Sequence, residues 1–135
     1  FYDGDDFHPD ANIQKMAAGR PLNDNDRWPW LEELGDKIRE WNKEGGAVLG
    51  CSALKESYRQ KLATIPETDL KWVLLHGSRE TIKRRMEQRR QHFFDASLLD
   101  SQLEALEKPE YGIHVDITNS PEAIAEVILE ELNLN

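Results

Sequence analysis

Three short apolar runs constrain this chain more than anything else in it: Ala47–Cys51, Trp72–His76 and Ile113–Ile117. Each is too short for a helix of its own, leans on Val, Ile and Leu, and is bounded by glycines or polar residues, so each reads as a buried strand. Phe1–Asp3 reads as the tail of a fourth. Helical patterns lie between the runs. Asn12–Ala18 is a short one stopped by Gly19 and Pro21, and Trp28–Lys43 carries Leu31, Leu34, Ile38 and Trp41 at helical spacing before Gly45 and Gly46 end it. Ala53–Ala63 has Leu54, Tyr58 and Leu62 four apart; Arg79–Arg90 turns Ile82 and Met86 inward; Ser97–Leu106 is short. The last helix is the plainest, with Ser120 as cap, Pro121 at its first position, Glu122 in its first turn, then Ile124, Val127, Ile128 and Leu132.

Strands that alternate with helices predict βαβ units and a parallel sheet. Such sheets bind ligands beyond the carboxyl ends of their strands. The segments to inspect are therefore Asp3–His8, Cys51–Lys55, Gly77–Ser78 and Thr118–Ser120.

A length of 135 residues suits one domain, taken as residues 1–135. The formal net charge of -9 repels nucleic-acid phosphates and argues against a general nucleic-acid role. No apolar run is long enough to cross a bilayer, so no membrane role is expected. The acidic start shows no signal-peptide pattern, and the lone Cys51 excludes an internal disulfide. Both point to a reducing, cytoplasmic setting.

Within this acidic chain, residues 79–90 gather Arg79, Lys83, Arg84, Arg85, Arg89 and Arg90 against only Glu80 and Glu87. A solvated helix face explains such a run; so does a held anion. Arg85 and Arg89, four apart, face the same way, which suits a polyphosphate whose charge shifts during transfer. His92 is read as a helix C-terminal residue or a ligand contact.

At the other end, Asp3, Asp5 and Asp6 fall within four positions. If the strand continues through them, Asp3 and Asp5 share a side and can hold the water shell of a magnesium ion or take a proton from a hydroxyl. An acidic turn is the plainer reading. Lys15, Arg20 and Arg27 lie in a turn-rich segment that Pro21 and Pro29 restrict, and cations on rigid backbone suit an anionic small molecule. Trp28 and Trp30 are read as core packing. Lys55, Tyr58 and Arg59 sit on or beside the first turn of the helix after Cys51, where free N–H groups are expected. Cys51 has no evident histidine partner and is read as packing rather than as a nucleophile.

Taken in order, these stretches resemble the gluconokinases, small P-loop kinases related to shikimate and adenylate kinases. The matching residues are Asp3-Gly4-Asp5, His8-Pro9, Asn12, Lys15-Met16, Pro21-Leu22, Asp26-Arg27 and Pro29-Trp30-Leu31, then Cys51 through Lys55, Tyr58-Arg59, Arg85, Arg89, His92-Phe93, Ser101-Gln102 and Leu106-Glu107. Each piece alone is weak, but the ordered set is specific. Leu103 and Lys108-Pro109 depart from the family pattern and read as packing or loop changes.

The resemblance implies an α/β parallel-sheet P-loop kinase fold and ATP-dependent phosphorylation of D-gluconate on its terminal hydroxyl, with gluconate, ATP and Mg2+ as partners. It further implies Asp3 for the magnesium waters, Asp5 for the substrate hydroxyl proton and Arg27 for the gluconate carboxylate. His8, Lys15 and Lys55 become sugar-acid contacts, and Arg85 and Arg89 belong to a lid over ATP within residues 79–104, with Arg89 also catalytic. A homodimer is among the assemblies expected.

No Gly-x-x-x-x-Gly-Lys-Ser/Thr occurs in the chain. In the family that loop precedes the Asp-Gly-Asp stretch. The expectation is therefore a domain truncated at its N-terminus, lacking a strand–loop–helix unit of roughly 30 residues whose strand is central in the related folds. Such a chain is expected to be inactive alone. The alternatives are a non-catalytic isoform or fragment, or a related kinase for another sugar acid.

Overall fold

The computed structural model describes residues 1–88 and 96–133. Four strands and six helices of α type follow one another among these residues: β1 (Tyr2–Asp3), α1 (Asp10–Ala17), α2 (Asp24–Lys43), β2 (Leu49–Gly50), α3 (Glu56–Leu62), β3 (Val73–His76), α4 (Arg79–Gln88), α5 (Leu99–Ala105), β4 (Ile113–Asp116) and α6 (Pro121–Glu131). Both strand pairings are parallel, as the alternation of elements requires. β1 lies against β2 with Tyr2 opposite Leu49, and β3 lies against β4 with Val73 opposite Ile113. No described helix is long and apolar enough to cross a membrane.

The described chain forms two compact units, one of Phe1–Leu70 with the segment that carries α5, the other of β3, α4, β4 and α6. Among the described residues the first unit holds the parallel pair β1–β2 and the second the parallel pair β3–β4. The strand expected over Ala47–Cys51 shrinks to Leu49–Gly50 because its one partner, β1, is itself two residues long. Val48 stays 67% exposed as a result.

In the first unit the core lies between α2 and α3. Trp30, Leu31 and Leu34 from α2 meet Tyr58 and Leu62 from α3, and none is more than 1% exposed. Gly35 permits the close approach: a Cβ there would sit 2.9 Å from Thr64 Cγ2, and the Thr64 hydroxyl donates to the Gly35 carbonyl at 2.6 Å. α2 starts four residues before the expected Trp28. The reason is a reciprocal cap: the Asn23 side chain accepts from the Asp26 N–H at 2.8 Å, and the Asp26 carboxylate accepts from the Asn23 N–H at 2.9 Å. Pro29 therefore falls in the second turn, where it has no N–H for the Asn25 carbonyl.

The second unit is more open. Val115 of β4 is buried, while the expected inner face of α6 is only half-covered at Ile124, Ile128 and Leu132 and exposed at Val127. Ser120 caps α6 as expected, its hydroxyl accepting from Ala123 N–H at 3.2 Å. These differences in burial set expected stabilities. Leu34→Ala should cost about 3 kcal/mol through lost burial and the cavity left behind, and Val127→Ala well under about 1 kcal/mol. Urea denaturation of the two variants checks this ranking; equal losses would contradict the packing described.

Candidate active site

The acidic segment is a turn, not an extended strand end. Asp3 closes β1 and its carboxylate accepts the Asp5 N–H at 3.0 Å, capping a 3₁₀ turn over Gly4–Phe7. Asp3 and Asp5 are thus brought together by the turn rather than by strand alternation, which corrects the geometric premise for pairing them. Both carboxylates act on Cys51. Burial, with Asp5 and then Asp3 adding to it, pushes the Cys51 thiol up to about 12. A thiol held protonated that strongly is no nucleophile, in line with its reading as packing.

His8 follows the turn. Its ring stacks on Trp30 with centroids 4.1 Å apart, and the Trp30 indole N–H donates to the Gly4 carbonyl at 2.7 Å. The Asn12 amide nitrogen donates to the Asp26 carbonyl at 2.8 Å and lies 3.2 Å from His8 Nδ1. That assigns Nδ1 as acceptor and leaves the proton on Nε2, which faces Asp5 Oδ1 at 3.7 Å. Burial, helped by the Arg27 guanidinium and opposed by Asp3, lowers His8 to about 4. The ring is neutral at pH 7.

Arg27 sits in the first turn of α2, 8% exposed. Its Nη1 donates to the Tyr58 hydroxyl at 2.9 Å, and among the described residues no carboxylate forms an ion pair with it. Tyr58 in turn donates to Asp24 Oδ1, and Lys55 Nζ reaches the same oxygen at 3.4 Å. The Tyr58 hydrogen bond and then Lys55 hold the Asp24 carboxyl below its ordinary range, while burial and Asp24 hold the Tyr58 phenol above its own. Asp24, Asn25, Arg27 and Lys55 line a cavity of about 520 Å³ together with Ser101 and Ala105 from α5.

The expected site residues are therefore distributed unevenly. Arg27 and Lys55 share the cavity wall. Asp3, Asp5 and His8 form the neighbouring acidic turn, linked to α2 through Trp30 and Asn12. Lys15 does not line the cavity; its ammonium holds Asp26 Oδ2 at 2.7 Å. The first turn of α3 is not open as expected, since the Glu107 carboxylate accepts the Glu56 N–H at 2.9 Å. Arg59 is bound up in structure, donating to the carbonyls of Ala53 and Glu107 at 2.8 Å each. In the second unit, Arg85 donates to the Ile117 carbonyl at 2.7 Å. Arg89 and His92 lie outside the described residues.

Asp24 was not singled out for chemistry from the sequence, and Tyr58 was placed only beside the first turn of the helix after Cys51. Asp24 looked like part of a turn, and nothing local connects it with a tyrosine 34 residues on. Among the described residues there is no cluster of three or more His, Cys, Asp or Glu side chains able to hold a metal ion. Two carboxylates can still serve Mg2+, which commonly keeps several waters and takes one or two carboxylates beside substrate phosphates. The donor set of Asp3 and Asp5 fits that requirement.

Parallel strands, a carboxylate turn after β1 and a cavity lined by Asp24, Arg27 and Lys55 define an α/β protein with charged side chains gathered past a strand end. Comparison with known proteins narrows the class. The chain is 41% identical over 145 residues to a probable gluconokinase of Dictyostelium discoideum, covering 98% of this chain and 72% of that protein. It is 46% identical over 133 residues to a gluconokinase of Gluconobacter oxydans, covering 98% and 74% respectively. A solved gluconokinase structure from Sinorhizobium meliloti 1021 superposes with a TM-score of 0.84 at 40% identity, over 98% of this chain and 76% of that one. No family profile matches the chain. The chain belongs to the gluconokinase family, whose activity is the ATP-dependent phosphorylation of gluconate.

The depressed His8 value has a defined consequence. Folding favours the neutral ring, so its contribution is complete above the unfolded value of 6.5 and is lost as pH falls toward the folded value of about 4. The loss over that window is about 3 kcal/mol. An NMR titration should place the His8 midpoint near 4, and denaturation between pH 7 and pH 4 should show a shallower slope for His8→Asn. A His8 midpoint near 6.5 would contradict the burial and the charge described.

Proposed function

We propose that this chain carries the gluconate-binding part of an ATP-dependent kinase that converts D-gluconate to 6-phosphogluconate. The observation that carries the reading is Arg27: a buried guanidinium on the wall of a 520 Å³ cavity, with no carboxylate of its own among the described residues. Burying an unpaired charge is costly. A ligand carboxylate offsets that cost through charge-assisted hydrogen bonds, and Arg presents a fork shaped for it. Lys55 adds a second positive charge to the same wall, held above its ordinary value by the Tyr58 oxygen and the Asp24 carboxylate.

In this reading Arg27 and Lys55 hold the acid end of gluconate, with His8 and Lys15 near the sugar hydroxyls. Asp5 takes the proton of the terminal hydroxyl as that oxygen bonds the transferred phosphorus and the bond to ADP breaks. Mg2+ would neutralise phosphate charge, its waters held by Asp3. Arg85 and Arg89 are assigned to the lid over ATP, within residues 79–104. Positioning and charge neutralisation, more than covalent chemistry, supply the rate in such transfers.

The finer fold assignment belongs to the same proposal. It is a P-loop kinase sheet of the shikimate kinase type, for which the parallel strand pairs and the gluconokinase relatives speak. The absence of a Gly-x-x-x-x-Gly-Lys-Ser/Thr stretch is also what favours a second reading, a gluconate-binding chain with no turnover of its own. A cytoplasmic setting suits the single cysteine.

Two measurements test these statements. Arg27→Ala should weaken gluconate binding by calorimetry roughly a hundredfold, the equivalent of about 3 kcal/mol for lost charge-assisted hydrogen bonds. Unchanged affinity would remove Arg27 from the site. In a coupled ADP-release assay the 135-residue chain should show negligible turnover, because its sequence holds no Gly-x-x-x-x-Gly-Lys-Ser/Thr loop to cradle the ATP phosphates. Robust phosphorylation by this chain alone would refute that.

A further inference from the structure

Asp24 and Arg27 stand three apart on α2, the spacing at which an acid and an arginine ordinarily pair along a helix surface. Here they do not pair. The Tyr58 hydroxyl stands between them, accepting from Arg27 Nη1 at 2.9 Å and donating to Asp24 Oδ1. Tyr58 comes from another helix and is fully buried. A hydroxyl has one proton to give and lone pairs to accept with, so it can serve both neighbours at once only with this polarity. Lys55 occupies the Asp24 carboxylate further, at 3.4 Å. Asp24 is thereby held by two other donors, and the rest of the Arg27 fork is left without a carboxylate among the described residues.

We infer that Tyr58 is a positioning residue that keeps the arginine clamp open: by capturing Asp24 and holding one arm of Arg27, it prevents the chain's own carboxylate from occupying the place of the ligand's. This inference rests on the reading of Arg27 as the partner of the gluconate carboxylate. Asp24 then has two opposed effects. Paired through Tyr58 it helps fix the clamp, and released it becomes an internal competitor for the same guanidinium. Because the phenol is held above its ordinary value by burial and by Asp24, it keeps its proton at physiological pH and the polarity persists.

The geometry makes a non-additive prediction that simple loss of packing does not. Tyr58→Phe keeps the buried ring and its edge contact with Trp28, whose centroid is 5.7 Å away. It removes only the hydroxyl, and Asp24 becomes free to pair with Arg27. Calorimetric gluconate affinity should fall roughly tenfold, with binding of the uncharged polyol sorbitol unaffected or equally undetectable. The double variant Tyr58→Phe/Asp24→Asn should recover affinity to within a few-fold of the starting protein, since the internal competitor is gone. A crystal structure of Tyr58→Phe gives a readout independent of any ligand and should show the Asp24 carboxylate at ion-pair distance from Arg27.

A double variant as weak as Tyr58→Phe, or Asp24 and Arg27 still apart in that structure, overturns the inference. Failure of the underlying reading looks different. There Arg27→Ala leaves gluconate affinity unchanged, or the unaltered chain binds no gluconate, while the Tyr58→Phe structure still shows where Asp24 goes.

Discussion

The hydrogen bond from the Trp30 indole to the Gly4 carbonyl fixes the place of everything else in the first unit. The tryptophan is 1% exposed, so an unmet indole N–H there would carry its full desolvation cost. The carbonyl it finds belongs to the acidic turn, and the same ring stacks on His8. One side chain of α2 therefore sets the position of the turn that carries Asp3 and Asp5. The turn is held from the other side too. A Cβ on Gly4 would lie 2.9 Å from the Gly50 carbonyl, so only glycine lets β1 and β2 close up at this point. Strand pairing, acidic turn and helix are locked by contacts that tolerate little displacement.

Charge placement on the first turn of α2 follows from that lock. Two carboxylates and one guanidinium lie within four residues, and each carboxylate is taken by something other than the guanidinium. Asp26 closes the helix cap and holds Lys15. Asp24 takes the Tyr58 hydroxyl and Lys55. Both acids are held below their ordinary range, Asp24 by the Tyr58 hydrogen bond above all and Asp26 by Lys15, so both remain charged and committed. In a chain of net charge -9, a buried arginine outside every ion pair among the described residues is the feature that most needs a physical reason. A neutral phenol satisfies one of its donors without cancelling its charge.

Much of the fold was legible because the apolar runs and helix stops are local signals. The parallel strands, the caps of α6 and the glycine stop of α2 all follow from neighbours in sequence. The start of α2 was missed because Asn23-Asp24-Asn25-Asp26 has turn composition, and only the reciprocal hydrogen bonds of Asn23 and Asp26 turn it into a cap. The short β2 could not be foreseen from an apolar run that looks like a full strand. Of the candidate site, Arg27 was readable as a cation on turn-rich, proline-restricted backbone and Lys55 as one just past a strand end. The bridge that Tyr58 makes between Arg27 and Asp24 was not, since it joins residues 31 and 34 positions apart. Arg59 shows the converse: its charge suggests a ligand, yet its donors close the loop ahead of α3 onto backbone carbonyls.

If Arg27 is the partner of a ligand carboxylate, an arginine buried without an ion pair is unfavourable for the free protein and favourable for the complex, and these are one fact seen from two sides. Without an ion pair among the described residues, Arg27 feels the Asp24 and Asp26 charges only at longer range, and the free chain forgoes the closer contact. A carboxylate ligand then gains its attraction in a medium already stripped of water, so less is lost to desolvation on arrival. Pairing Arg27 with Asp24 would make the free fold more comfortable and the site weaker by the same interaction. The phenol is the compromise the packing permits: it is buried, needs a partner on each side, and takes both from residues that would otherwise satisfy each other.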